Sequence, residues 1–211
     1  MRALMRALIA LVALCCVVPA AQAGERSWIF RVMLDDRDIG QHRFTLDGPD
    51  DRRQLKSEAR FDVRVLFINA YRYRHEAVEH WDGNCLHSLD SHTETNGKRL
   101  AVSAMTEGNR LVVAHATSRS EHEGCVMSFA YWNPQILNAS QLLNSQTGEL
   151  QPVTVTPQGA ATLLVRGVPR AAQRYRISGP GLQIDIWYAD ADWVALEALT
   201  DGGRRLRYEL I

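Results

Sequence analysis

Leu55-Lys56-Ser57-Glu58-Ala59-Arg60-Phe61-Asp62-Val63-Arg64-Val65-Leu66-Phe67 alternates in steps of two. Leu55, Ala59, Phe61, Val63, Val65 and Phe67 share one face, and Lys56, Glu58, Arg60, Asp62 and Arg64 share the other. Successive side chains of an extended strand point to opposite sides, so this is a strand with one apolar face and one wet face. Antiparallel sheets carry that pattern, whereas parallel strands buried on both faces do not.

The same rhythm recurs outward from this stretch. Leu111, Val113 and His115 alternate with Val112, Ala114 and Ala116, and Leu182, Ile184, Ile186 and Tyr188 alternate with Gln183, Asp185 and Trp187. Turn residues separate the runs: Asp36 to Gly40, Gly48-Pro49-Asp50, Asp82-Gly83-Asn84, Asn96-Gly97, Gly108-Asn109, Gln158-Gly159, Gly179-Pro180-Gly181 and Asp201-Gly202-Gly203. Asn-Gly and Asp-Gly supply the positive φ of tight hairpins. The runs number about 11 to 12 strands, more than a flat sheet accommodates without curling. The expected fold is all-β and mainly antiparallel, a strongly curved meander or half-open β-barrel forming one domain over 24–211.

Residues 131–148 break the rhythm. Ile136, Leu137, Ala139, Leu142 and Leu143 fall at helical spacing, which predicts a short helix or lid with Asn138 or Ser140 as a cap and Gly148 as a stop. Pro134 restricts Asn133 to extended angles, and Tyr131 and Trp132 before it need somewhere to bury their rings. The segment is either a cover over the open face of the sheet or a plug that only fills a barrel end.

Met1-Arg2 and Arg6, the apolar run from Ala7 to Val18 and the small residues Ala21 and Ala23 have the form of a secretory signal peptide over 1–23, with cleavage after Ala23. The run is too short to span a bilayer, and no later run approaches that length. A lipid anchor at Cys15 is disfavoured by Leu14 before it. A periplasmic address follows, with about 190 residues left after cleavage, enough for one core. The chain's 24 basic residues lose Arg2 and Arg6 with the leader, leaving 22 against 24 acidic ones. That balance argues against a nucleic-acid partner. Of four cysteines, Cys85 and Cys125 survive, and in an oxidising compartment they form either one disulfide or two separate buried thiols. A bridge closing a loop of about 40 residues contributes about 2 to 4 kcal/mol.

Tyr71 to Trp81 is the densest polar and aromatic stretch. As a strand it places Tyr71, Tyr73, His75, Ala77, Glu79 and Trp81 on one face, either lining a cavity or packing in the core. His75, His80, Cys85, His87 and His92 cluster in sequence but match no zinc spacing, and His75 and His80 face opposite sides. No metal or cofactor is expected. Gly-x-Ser-x-Gly is absent, and Cys125 in this compartment is a poor nucleophile candidate. Asp190 and Asp192 beside Trp187, Tyr188 and Trp193 suggest sugar chemistry less than a hairpin turn.

Gly40-Gln41-His42-Arg43-Phe44, Arg60-Phe61-Asp62-Val63, Ala70 to His75, Glu79 with Trp81, Asn96-Gly97, Tyr131-Trp132-Asn133-Pro134, Gln146-Thr147-Gly148 and Trp187-Tyr188 resemble a family of exported Gram-negative envelope proteins known only as a domain of unknown function. The resemblance covers nearly the whole chain after the leader and is most specific in Tyr-x-Tyr-x-His and Tyr-Trp-Asn-Pro. It implies an antiparallel β-rich domain in the bacterial envelope and carries no assigned activity.

Three functional expectations follow. The first is non-catalytic binding of an apolar or amphipathic, lipid-like ligand in the concave face, lined by Tyr71, Tyr73, His75, Glu79, Trp81, Tyr131, Trp132 and Asn133. The second is an envelope enzyme using His75 and Glu79 as acid and base. They share a strand face but lie roughly 13 Å apart along it, so a bend between them is required. The third is an assembly protein that binds another envelope protein through an exposed strand edge.

Overall fold

A computed structural model describes residues 24–211 apart from 66, 67, 117 and 201. The leader expected over 1–23 with its cleavage after Ala23, the strand end at Phe67 and the first residue of the Asp201 turn lie outside the described residues.

The chain enters through β1 (Arg26–Leu34), β2 (Arg37–Asp47), β3 (Arg52–Val65), β4 (Ile68–Asp82), β5 (Cys85–Thr95), β6 (Lys98–Glu107), β7 (Arg110–His115) and β8 (Ser118–Glu123). A linking segment follows, with one 3-10 turn (Pro134–Asn138) and a small hairpin of β9 (Gln141–Leu143) and β10 (Leu150–Pro152). The chain then returns through β11 (Thr154–Val165), β12 (Val168–Gly179), β13 (Leu182–Ala189), β14 (Asp192–Leu199) and β15 (Arg205–Leu210). All but β9 and β10 form one sheet of 13 strands, in the order β11-β12-β13-β14-β15-β1-β2-β3-β4-β5-β6-β7-β8. Every neighbouring pair is antiparallel, and the last strand lies beside the first, with Phe30 opposite Leu210. Among the described residues the sheet does not close, because β11 and β8 are its two edges.

The sheet is strongly curved. Phe61 on β3 and Tyr208 on β15 are three strands apart, about 14 Å on a flat sheet, yet their ring centroids are 6.4 Å apart. Ser128 bonds to Glu79 on β4 and the Tyr131 carbonyl accepts from Tyr188 on β13. A stretch of four residues reaches at most about 14 Å, so the inner faces of β4 and β13 are bent toward each other.

The alternation in β3 sorts as its sequence predicts: Leu55, Ala59 and Phe61 are buried, and Lys56, Glu58 and Arg60 are exposed. Ser57 follows the apolar residues to the inside. β13 departs from the two-face reading, because Asp185 and Trp187 on its outer side are buried as well. Arg176 Nε donates to Asp185 at 2.8 Å, Arg174 also bonds to it, and the Arg174 guanidinium lies 5.3 Å over the Trp187 ring. Long basic side chains of β12 thus cover this patch. The described strands number fifteen, thirteen of them in the large sheet against the 11 to 12 expected, and β9 and β10 are too short to show any period.

The linking segment occupies the concave face. Val126, Ala130, Trp132, Ile136, Leu142 and Leu143 are all buried. A disulfide between Cys125 and Cys85, with Cα atoms 5.0 Å apart, ties its start to β5. Further tethers are Leu86 N to Val126 O at 2.8 Å and Ser91 Oγ to the Ser145 carbonyl. The short helix expected over 131–148 is reduced to the 3-10 turn, and its cap is Asn133, whose Oδ1 accepts from Gln135 N at 3.0 Å, not Asn138 or Ser140. Apolar residues recur at helical spacing here because the segment is enclosed on several sides, not because it coils.

Gly40 fixes the entry to β2. Its φ is 140°, and a Cβ built on it runs into the Arg60 carbonyl oxygen of β3. The register of β1 against β2 shifts at Val32/Met33 opposite this point, so a bulge carries both Ile39 and His42 inward. Gly40→Ala is expected to cost about 1–3 kcal/mol through strain at a position that only glycine adopts freely. Chemical denaturation measures it, and an unchanged midpoint would show that the strand relaxes around the methyl group.

Candidate functional site

Between the linking segment and the sheet lies a cavity of about 250 Å³. Strands β2, β3 and β4 supply His42, Ser57, His75 and Glu79, and β15 supplies Tyr208. The linking segment contributes Phe129, Tyr131 and Gln151, and Phe44, Leu55, Leu182, Ile184, Leu196 and Leu206 complete an apolar wall. Period two alone explains why polar groups stand here: each occupies an inward position on a strand whose neighbours at that parity are apolar.

The polar groups are knitted together. His42 Nε2 lies 2.7 Å from Ser57 Oγ and His42 Nδ1 lies 3.2 Å from Tyr208 OH. Either tautomer satisfies both contacts, because each hydroxyl donates or accepts. His75 Nδ1 lies 2.9 Å from Thr93 Oγ1. Glu79 accepts from Ser128 Oγ and from Trp81 Nε1, each at 3.0 Å.

Burial governs the charges. It holds His42 well below the ordinary imidazole value, with the nearby His75 adding to the effect, and it takes His75 down to about 4. Burial pushes the Glu79 carboxyl up to about 7, although the bonds from Ser128 and Trp81 partly offset it. The phenols of Tyr131 and Tyr208 are raised too. At neutral pH the wall is therefore an array of uncharged donors and acceptors beside a single carboxyl near its midpoint.

Of the eight residues selected from sequence, His75, Glu79 and Tyr131 line the cavity. Tyr73 is buried against Phe61 at 5.2 Å, and Tyr71 stacks on Tyr73 at 6.4 Å while remaining 36% exposed, so both continue the row away from the cavity. Trp81 and Trp132 meet edge to face at 5.4 Å in the core, and Asn133 Nδ2 donates to Asn84 Oδ1 at 3.0 Å. Parity along β4 is legible from sequence, but the level at which the cavity sits is not. His42, Ser57, Tyr208 and Gln151 went unselected. The signal of His42, Ser57 and Tyr208 is a polar residue at an inward parity, as with His42 between outward Gln41 and Arg43, whereas Gln151 sits on a strand too short to show one.

The arrangement does not assemble an acid and base from His75 and Glu79. Pairing with β3 runs in unbroken register from Ala59 opposite His75 to Leu55 opposite Glu79, so no bulge lies between them. Each side chain is bonded elsewhere. The Ser57–His42–Tyr208 chain has the spacing of a nucleophile and its base, yet a tyrosine stands where a carboxylate would stabilise imidazolium, and burial keeps His42 neutral. The wall presents uncharged hydrogen-bonding groups. Among the described residues no three His, Cys, Asp or Glu side chains gather to hold a metal. His80 contacts Gln54 and Ser88, His87 lies by Asp82 and His92 by Asp90. Among the same residues no helix is long and apolar enough to cross a membrane.

No curated protein matches the chain in sequence. A crystal structure of a beta-barrel-like protein of domain of unknown function DUF1849 from Brucella abortus is similar in fold, with a TM-score of 0.65 and 11% identity, over 88% of this chain and 95% of that one. Residues 30–211 match the family described as Domain of unknown function (DUF6134), and the chain belongs to that family.

Proposed function

We propose that the protein is exported to the periplasm on its first 23 residues and holds a small amphipathic ligand, without transforming it, in the concave cavity. The observation that carries this reading is the pairing, within one space of about 250 Å³, of an apolar wall with a hydrogen-bonding one. Ligand sites are typically apolar hollows with a few convergent polar groups, in the range of roughly 300–1,000 Å³. This one lies just below that range and equals the share of about eight waters. It suits one short chain with a single polar end rather than a whole two-chain lipid. The apolar body faces Phe44, Ile184 and Leu206, and the polar end faces His42, Ser57, His75 and Tyr208.

Native mass spectrometry of protein purified from its own envelope tests this. The expected result is a small bound mass that Ala77→Leu, which adds bulk to the cavity wall, lacks while remaining folded. An empty wild-type chain, or a mass retained equally by the filled variant, overturns the reading.

A further inference from the structure

The sheet ends in two edge strands of opposite character. On β8, Arg119, Glu121 and Glu123 are exposed, and Arg110 bonds Glu121 at 2.6 Å. Adding a strand there would bury those charges, which is how natural sheets guard an edge. β11 has no such guard. From Thr154 to Val165 it carries no Asp, Glu, Lys, Arg or His, and among the described residues it pairs only with β12. Pro157 and a register shift between Pro157 and Gly159 interrupt only its first part. Gly159 to Val165 then runs in unbroken register against β12, with Thr162 at its midpoint. Ala160, Thr162 and Leu164 along this stretch are exposed, Leu164 to 72%.

We propose that the β11 edge docks a second copy of this chain, the two strands pairing antiparallel about a twofold axis at Thr162. A twofold interface must be complementary to itself, and this stretch is. Pairing about its midpoint sets Ala160 of one copy opposite Leu164 of the other, small against large, and Thr162 opposite Thr162, a favourable cross-strand pair. No charge meets a like charge, since the stretch has none. The exposed Leu164 gains cover, and the free N–H and C=O groups of both edges are satisfied together. The inference is independent of the ligand reading, because β11 contributes nothing to the cavity.

Sedimentation equilibrium of the exported chain over a range of concentrations tests it, with thermal melting to confirm folding. Wild type is expected to reach twice the monomer mass. Ala160→Lys with Leu164→Lys sets lysine opposite lysine at both crossings and halves the mass while the chain still melts cooperatively. Ala160→Glu with Leu164→Lys sets glutamate opposite lysine and restores the doubled mass. A monomeric wild type, or a double-lysine variant that stays dimeric, overturns the proposal. A glutamate–lysine variant as monomeric as the double-lysine one overturns pairing about Thr162.

Discussion

Trp81→Ala is expected to lower stability by about 3–5 kcal/mol, the range for deleting a large buried aromatic. Trp81 is 1% exposed and packs edge to face against Trp132, and the Arg53 guanidinium lies 4.7 Å over the Trp132 ring. Removing the indole opens a cavity beneath Trp132 and withdraws the Nε1 donor from Glu79. A buried carboxyl that loses a donor is costly beyond the lost packing. Both losses fall where the linking segment is fastened to β4, so urea unfolding should be accompanied by faster proteolysis within residues 124–153. Trp81→Phe keeps most of the packing and loses only the donor, and should sit between the two. Trp81 does not line the cavity, so the folded fraction of the alanine variant is expected to retain its bound mass. Loss of that mass with stability unchanged would return Trp81 to the ligand wall.

That contrast bears on what a sequence can disclose. β3 was readable because its outward positions carry Lys56, Glu58, Arg60 and Asp62, which leave no doubt about parity. The disulfide was visible as one of two outcomes for Cys85 and Cys125. The cavity was only half visible. Tyr71, Tyr73, His75, Ala77, Glu79 and Trp81 share a face of β4, but which of them meets the hollow depends on how deeply the linking segment sits, and that is set by contacts such as Ser128 to Glu79, 49 residues apart. His42 and Tyr208 are separated by 166 residues and meet only because β15 returns to pair with β1. Local patterning fixes which side a residue faces. Long-range pairing fixes whom it meets, and the polar wall is made almost wholly of such meetings.

Glu79→Gln is expected to stabilise the protein by about 3 kcal/mol above neutral pH and by almost nothing in acid. Burial moves this carboxyl from 4.5 to about 7, a displacement worth about 3 kcal/mol. Below pH 4.5 the folded and unfolded chains both hold the proton, and the substitution has no charge to remove. Between 4.5 and about 7 the folded chain keeps a proton that the unfolded chain has released, so wild-type stability falls as pH rises. Above about 7 the full cost of a buried carboxylate is present. Glutamine avoids it: its carbonyl accepts from Trp81 Nε1, and its amide donates to Ser128 Oγ, which turns to accept. His75, lowered by burial from 6.5 to about 4, acts in the opposite sense, because the unfolded chain takes up its proton first as pH falls. His42 follows the same direction. The wild-type profile alone therefore mixes opposing slopes, whereas the difference between wild type and Glu79→Gln isolates the carboxyl. Denaturant midpoints for both chains from below pH 4.5 to above 7 should diverge along one titration curve. A constant difference across that span would mean that Glu79 is solvated in the folded protein and that the wall of the cavity is wetter than its burial indicates.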